Sequence, residues 1–348
     1  MTIPSQMMLQ LGAQHFPKAL LPEGGRTALK RLGKAAHGSS LILYECRLRG
    51  KNGAQVDIST RYDRIKAGPQ KLRDLCEKMR SQPDAPDDYW YILDKFAQSW
   101  DTHPDISEIE TLYLEYDCNA FGHADTPPAI FFVMENGLTA SPAATFKCLT
   151  AFADVTPERQ RIMSRLFEFA DQYRLVVEKI LGLMLSRDGE FRLMFRARGK
   201  DELTGFLRDI NWPGDIQACI THWESIFCVR EHVRIVLGVS QNEIHPDYGF
   251  EIFTFSDDSA NDFLDWLTTS YPQTLARCLA LSEWSGLAGV YIGNQVVPEF
   301  VAQARNIDVL STRPAFTKNI NHFKLNFSHS GLSAAKVYLA ISEFDSET

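Results

Sequence analysis

The sequence is short of the spacings that mark the commonest functional sites. Its seven cysteines (Cys46, Cys76, Cys118, Cys148, Cys219, Cys228 and Cys278) never form a CxxC pair. An odd and scattered set excludes a zinc ribbon or a disulfide framework, and the residues read as small core side chains. Nine histidines occur without HExxH or HxH, so no structural metal is expected. Neither GxGxxG nor a Walker phosphate loop is present, which argues against the ordinary nucleotide folds. There is no GxSxG elbow either, and Ser328, His329 and Ser330 in FSHSG read as turn chemistry.

Long apolar runs are missing too. No stretch approaches the roughly 20 residues of a membrane helix, and MTIPSQMMLQLGAQHF lacks a basic flank before an apolar core. A cytoplasmic chain without a membrane span is expected. Net charge is −8, so the surface as a whole repels nucleic acid, and any anion site has to be built locally. No shift in composition marks a boundary, which suggests one domain over residues 1–348.

What is present is a recurrence of strand pairs and helices. SSLILYECRLRG (39–50) and AQVDISTRYD (54–63) flank Lys51-Asn52-Gly53, a tight-turn signal. ETLYLEYD (110–117) pairs with PAIFFVME (128–135), and HVRIVLGVS (232–240) with YGFEIFTF (248–255). EFRLMFRAR (190–198) lacks an evident partner, and HFKLNFSHSGLSAAKVYLAI (322–341) folds back on itself. Helices are expected over about 69–80, 87–99, 157–185, 201–227 with a break at Trp212-Pro213-Gly214, and 258–284. Thr156 and Pro157 open the third of these. Residues 285–318 carry no clear pattern.

Side chains alternate across a strand, so parity divides each candidate into two faces. Strand 190–196 gives Glu190, Arg192, Met194 and Arg196 against Phe191, Leu193 and Phe195. Likewise His232 and Arg234 oppose Val233, Ile235 and Leu237, while His322 and Lys324 oppose Phe323 and Leu325. Lys336 and Tyr338 oppose Val337, Leu339 and Ile341; Arg61, and Tyr113 with Glu115, fall on the polar side of their own strands. Strands 41–49 and 128–134 sort poorly.

The pattern is α+β: an antiparallel sheet with helices on its apolar face. Two architectures satisfy it. One is an open sheet whose polar face meets water. The other is a closed barrel of about ten strands ringed by helices in repeated αββα units, with its polar faces lining an interior. Arg and Tyr gathered on the polar side favour the barrel, with its core at about residues 39–341.

This order of elements, with Arg, Lys and Tyr on polar strand faces, resembles the aromatic prenyltransferases of the ABBA or PT-barrel type. Lys336-Val337-Tyr338 is similar to the Lys-x-Tyr strand pairs with which that family holds diphosphate and screens a cation. The resemblance implies transfer of a dimethylallyl or longer prenyl group from an allylic diphosphate to an indole- or phenol-type acceptor. The acceptor would be a small molecule or part of a peptide or other natural product. It implies that Arg61, Arg192, Arg234, Lys324 and Lys336 hold the diphosphate, since Arg offers a bidentate fork and Lys a point charge. Tyr113 and Tyr338 would shield the allylic cation, and Glu115, with His232 second, would take the proton. No cofactor is required on this reading, and magnesium is left open. The alternative is a non-enzymatic protein that binds an acidic peptide or small anion in a biosynthetic or regulatory pathway. Asp257, Asp258 and Asp262 in SDDSAND read as helix caps and not as magnesium ligands.

Overall fold

In the computed structural model the alternating strands do not end in an edge. The structure describes residues 5–21, 29, 36–49, 56–82, 87–103, 106, 108–117, 127–134, 142–152, 155–178, 180–185, 189–230, 233–254, 257–284, 286–292, 295–298 and 313–343. Ten strands run in order: β1 (Leu41–Arg49), β2 (Val56–Asp63), β3 (Ile109–Tyr116), β4 (Ala129–Met134), β5 (Ile180–Met184), β6 (Glu190–Arg196), β7 (Val233–Val239), β8 (Ile244–Phe253), β9 (Arg313–Ser328) and β10 (Gly331–Glu343). Each is antiparallel to the next, and β10 returns to β1, with Ile341 opposite Ile42 and Lys336 opposite Arg47. The ring is a closed barrel, and an open sheet is excluded.

Helices flank the hairpins as α1 (Ser5–His15), α2 (Gly68–Arg80), α3 (Asp87–Trp100), α4 (Pro142–Thr150), α5 (Pro157–Gln172), α6 (Lys200–Asp209), α7 (Ile216–Phe227) and α8 (Asp257–Ser270). The first four hairpins therefore each have a helix before and after them, and β9–β10 completes the ring. Outward side chains such as Ile42, Cys46, Phe191, Phe195, Val337 and Ile341 are buried beneath this layer. Indole N–H groups tie the layers together: Trp100 Nε1 donates to Ile109 O at 2.8 Å and Trp212 Nε1 to His245 O at 2.8 Å. Helix α1 docks where Gly12 has no side chain, because the Tyr44 ring lies against it and donates to Leu9 O at 3.2 Å. Cys46, Cys76, Cys219 and Cys278 are buried thiols, as small core residues should be.

Three expectations are corrected. The helix expected over 157–185 ends at Gln172, where Arg174 turns left-handed at φ 55° and the chain becomes extended. The run Ile180–Met184 is then β5, the partner that β6 lacked in the sequence. Its inward and outward side chains are both apolar, so neither the helical nor the strand period shows. The helix expected over 258–284 stops at Ser270, before the turn Pro272–Thr274, because proline supplies no backbone donor. The patternless stretch contains a hairpin, Gly286–Ile292 with Gln295–Pro298, that pairs onto the start of β9.

The poor sorting of 128–134 has a related cause. Phe131 on β4 points inward, as do Ile180, Met194 and Val236, so apolar side chains stand among the charged ones of the lumen.

Candidate active site

Closure makes the inward polar side chains face one another instead of bulk water. Glu45, Glu251, His322, Lys324 and Tyr338 are all buried. Lys324 Nζ lies 2.8 Å from Glu251 Oε1, and Lys336 pairs with Glu45, which also accepts from the Tyr338 hydroxyl. Burial alone would raise the Glu45 carboxyl, but the Lys336 ammonium and the Tyr338 hydroxyl pull it down to about 2. Burial and the nearby Glu45 carboxylate push Glu115 the other way, above the usual carboxylate range. Its hydrogen bond comes from Ser59 Oγ at 3.3 Å. Two neighbouring carboxyls are thus separated in acidity by their partners, the arrangement that assigns acid and base roles.

Four arginines on the barrel strands share one feature. Arg61 reaches Asp63 at 2.5 Å, Arg192 reaches Glu190 at 3.0 Å, and Arg196 and Arg234 reach Glu178 at 2.9 and 3.1 Å, every one through Nε. Hydrogen bonds from Nε hold Arg61, Arg192 and Arg196 from the side, while Arg234 meets Glu178 as an ion pair. The terminal Nη pair, which forms the forked end of the group, is left by these contacts for another anion. Arg234 also lies over the Phe253 ring, 3.9 Å from its centroid.

Two chambers meet at Lys324. One, of about 180 Å³, is lined by Leu43, Tyr113, Phe131, Ile180, Met194 and Phe253, with Glu115, His322 and Tyr338 among its polar groups. The other, of about 240 Å³, is polar, with Glu190, Arg192, His245, Asp247 and Asn326 on its wall. Gly238 and Gly249 face into it, where a Cβ would stand 2.6 Å from Glu190 Oε1 or 2.9 Å from Asn326 Oδ1.

The structure brings Lys324, Lys336, Tyr338 and Glu115 together in the barrel, with Tyr113 on the wall of the apolar chamber. Arg192 lies toward the polar chamber. Arg234 stands on the far side of Phe253, and Arg61 beside Tyr113, 6.0 Å from its ring centroid. His232 falls outside the described residues, as do the side chains of Asp257 and Asp258; Asp262 pairs with Arg230 at 3.5 Å. Among the described residues, no group of three or more His, Cys, Asp or Glu side chains is placed to hold a metal. Sequence reasoning missed Glu45, Glu178 and Glu251. The signal for Glu251 was its parity with Phe253; for Glu45 it was hidden by Leu43 on the same face of β1.

A closed ten-stranded antiparallel barrel, ringed by helices and charged within, defines a PT barrel. No protein-family model matches the chain, and no curated protein matches it by sequence. Among solved structures, the crystal structure of AnaPT from Neosartorya fischeri covers 98% of this chain and 90% of its own, with a TM-score of 0.52 and 10% identity. The crystal structure of NotF prenyltransferase covers 97% and 92%, with a TM-score of 0.47 and 8% identity. The likeness to AnaPT shows a resemblance to the ABBA barrels in fold.

Proposed function

We propose that the chain is an aromatic prenyltransferase that joins a dimethylallyl or longer prenyl group to an indole- or phenol-type ring, free or within a peptide. The observation that carries the reading is a closed ring of strands within which oriented guanidinium and ammonium groups border an apolar chamber. On this reading the allylic C–O bond breaks and diphosphate leaves with the electron pair, stabilised by Arg192, Arg234, Lys324 and Lys336, with Arg61 nearest the Tyr113 side. Tyr113 and Tyr338 screen the cation. A ring carbon of the acceptor forms the new bond, and its proton passes to Glu115.

Incubation with dimethylallyl or geranyl diphosphate and a panel of indoles, phenols and aromatic peptides tests this. A prenylated ring and stoichiometric diphosphate are expected; donor left intact with every acceptor would end the proposal. The second reading, a non-enzymatic anion-binding protein, draws on the carboxylate already paired with each of these cations. Binding of diphosphate without turnover would favour it.

A further inference from the structure

Asn321 interrupts the alternation of β9. Ile320 pairs with Leu339 and His322 with Tyr338, so one residue of β9 has no counterpart on β10. Such a bulge re-aims neighbouring side chains, and Asn321 and His322 both line the apolar chamber. His322 is in register with Phe253 on one side and Tyr338 on the other. Its ring stacks on Tyr338 with centroids 4.0 Å apart and planes at 13°, and on Phe253 at 4.8 Å and 17°. Both faces are covered.

Only the ring edge remains. Asn321 Oδ1 lies 2.7 Å from Nδ1; an amide oxygen can only accept, so Nδ1 carries the proton and Nε2 keeps its lone pair. Among the described residues His322 makes no other hydrogen bond. Burial pushes the imidazole down to about 4, with Lys324 and Arg234 acting in the same direction and Glu251 and Glu45 opposing them. A neutral edge that only accepts suits a neutral donor. A cation would instead seek Glu115 or Glu251, and an anion Lys324.

We propose that His322 recognises the aromatic acceptor, its Nε2 taking a hydrogen bond from an indole N–H or a phenol O–H and so fixing which ring edge faces the allylic carbon. This rests on the transferase reading above. The surrounding Leu43, Phe131, Ile180 and Met194 would hold the hydrocarbon part of the ring.

The test is equilibrium binding of indole and of 1-methylindole, without donor, to the wild-type chain and to His322→Phe. Phenylalanine keeps a flat ring in the stack but has no acceptor atom. Wild type is expected to bind indole about five- to tenfold more tightly than 1-methylindole, and His322→Phe to bind the two alike. Absence of the preference in wild type, absence of indole binding, or its survival in His322→Phe overturns the assignment. The nitrogen-15 resonance of Nε2 reads the same bond without a variant: indole should shift it and 1-methylindole should not, and equal shifts again overturn it. Adding dimethylallyl diphosphate separates the two claims. The preference without prenylated product leaves the His322 assignment and removes the transferase; product with the preference intact in His322→Phe does the reverse.

Discussion

Lys324 on β9 and Lys336 on β10 stand directly opposite each other. Like charges in that relation repel, and the pair is tolerated because Glu251 sits on Lys324 and Glu45 on Lys336. Four charges form one row along the wall of β8, β9, β10 and β1, and removing any member exposes the rest to an unbalanced field.

Glu45→Gln should therefore lower the unfolding free energy by about 3–5 kcal/mol, since it leaves an ammonium unpaired in a buried site. The double variant Glu45→Gln/Lys336→Met should regain most of that loss. Urea denaturation at neutral pH measures both, and a double variant less stable than the single one would contradict the charge-row account.

His322 sets an acid limb of stability. The imidazole titrates near 6.5 when unfolded and near 4 when folded, so between these values the unfolded chain binds more protons. Its contribution is whole above about pH 6.5 and is lost as pH falls toward 4, an effect on the order of 3 kcal/mol. Thermal melts from pH 7 to 4 should show a flatter decline for His322→Phe than for wild type; parallel curves would show that the ring is not held neutral.

Arg192→Lys keeps the charge of the polar chamber but loses the fork. Affinity for dimethylallyl diphosphate, measured by calorimetry, should fall about tenfold, whereas the exposed Arg208→Ala should leave it unchanged. Equal affinities for wild type and Arg192→Lys would take Arg192 out of donor binding.

Glycine to alanine inside a helix ordinarily stabilises by about 0.5–1 kcal/mol. At Gly12 the sign should reverse, because a Cβ there would stand 2.0 Å from the Tyr44 hydroxyl oxygen and 2.4 Å from its ring. A loss of about 1–3 kcal/mol is expected from overpacking, read as a lower melting temperature for Gly12→Ala.

Alternation is local, so the cationic and apolar faces of β6, β9 and β10 could be read from short stretches of sequence. The partners of those cations could not. Lys324 and Glu251 are 73 residues apart, and Tyr338 and Glu45 are 293 apart, and only the closed ring sets them face to face. β5 escaped notice because it is apolar on both sides, and the Asn321 bulge because a skipped pairing leaves no mark in the order of side-chain types. Arg192, Lys324 and Lys336 were legible as a set; that each comes with its own carboxylate was not.

The hydrogen bonds between β1 and β10 also govern when the fold can exist. Until the strand ending at Glu343 has been made, β1 and β8 are both bare edges that present unpaired backbone groups to any passing chain. Contacts this distant in sequence form slowly, since loop closure precedes any reward. Pairing of the β9–β10 hairpin with β8 and β1 thus removes both edges at once, and with them the exposed backbone on which another chain could build.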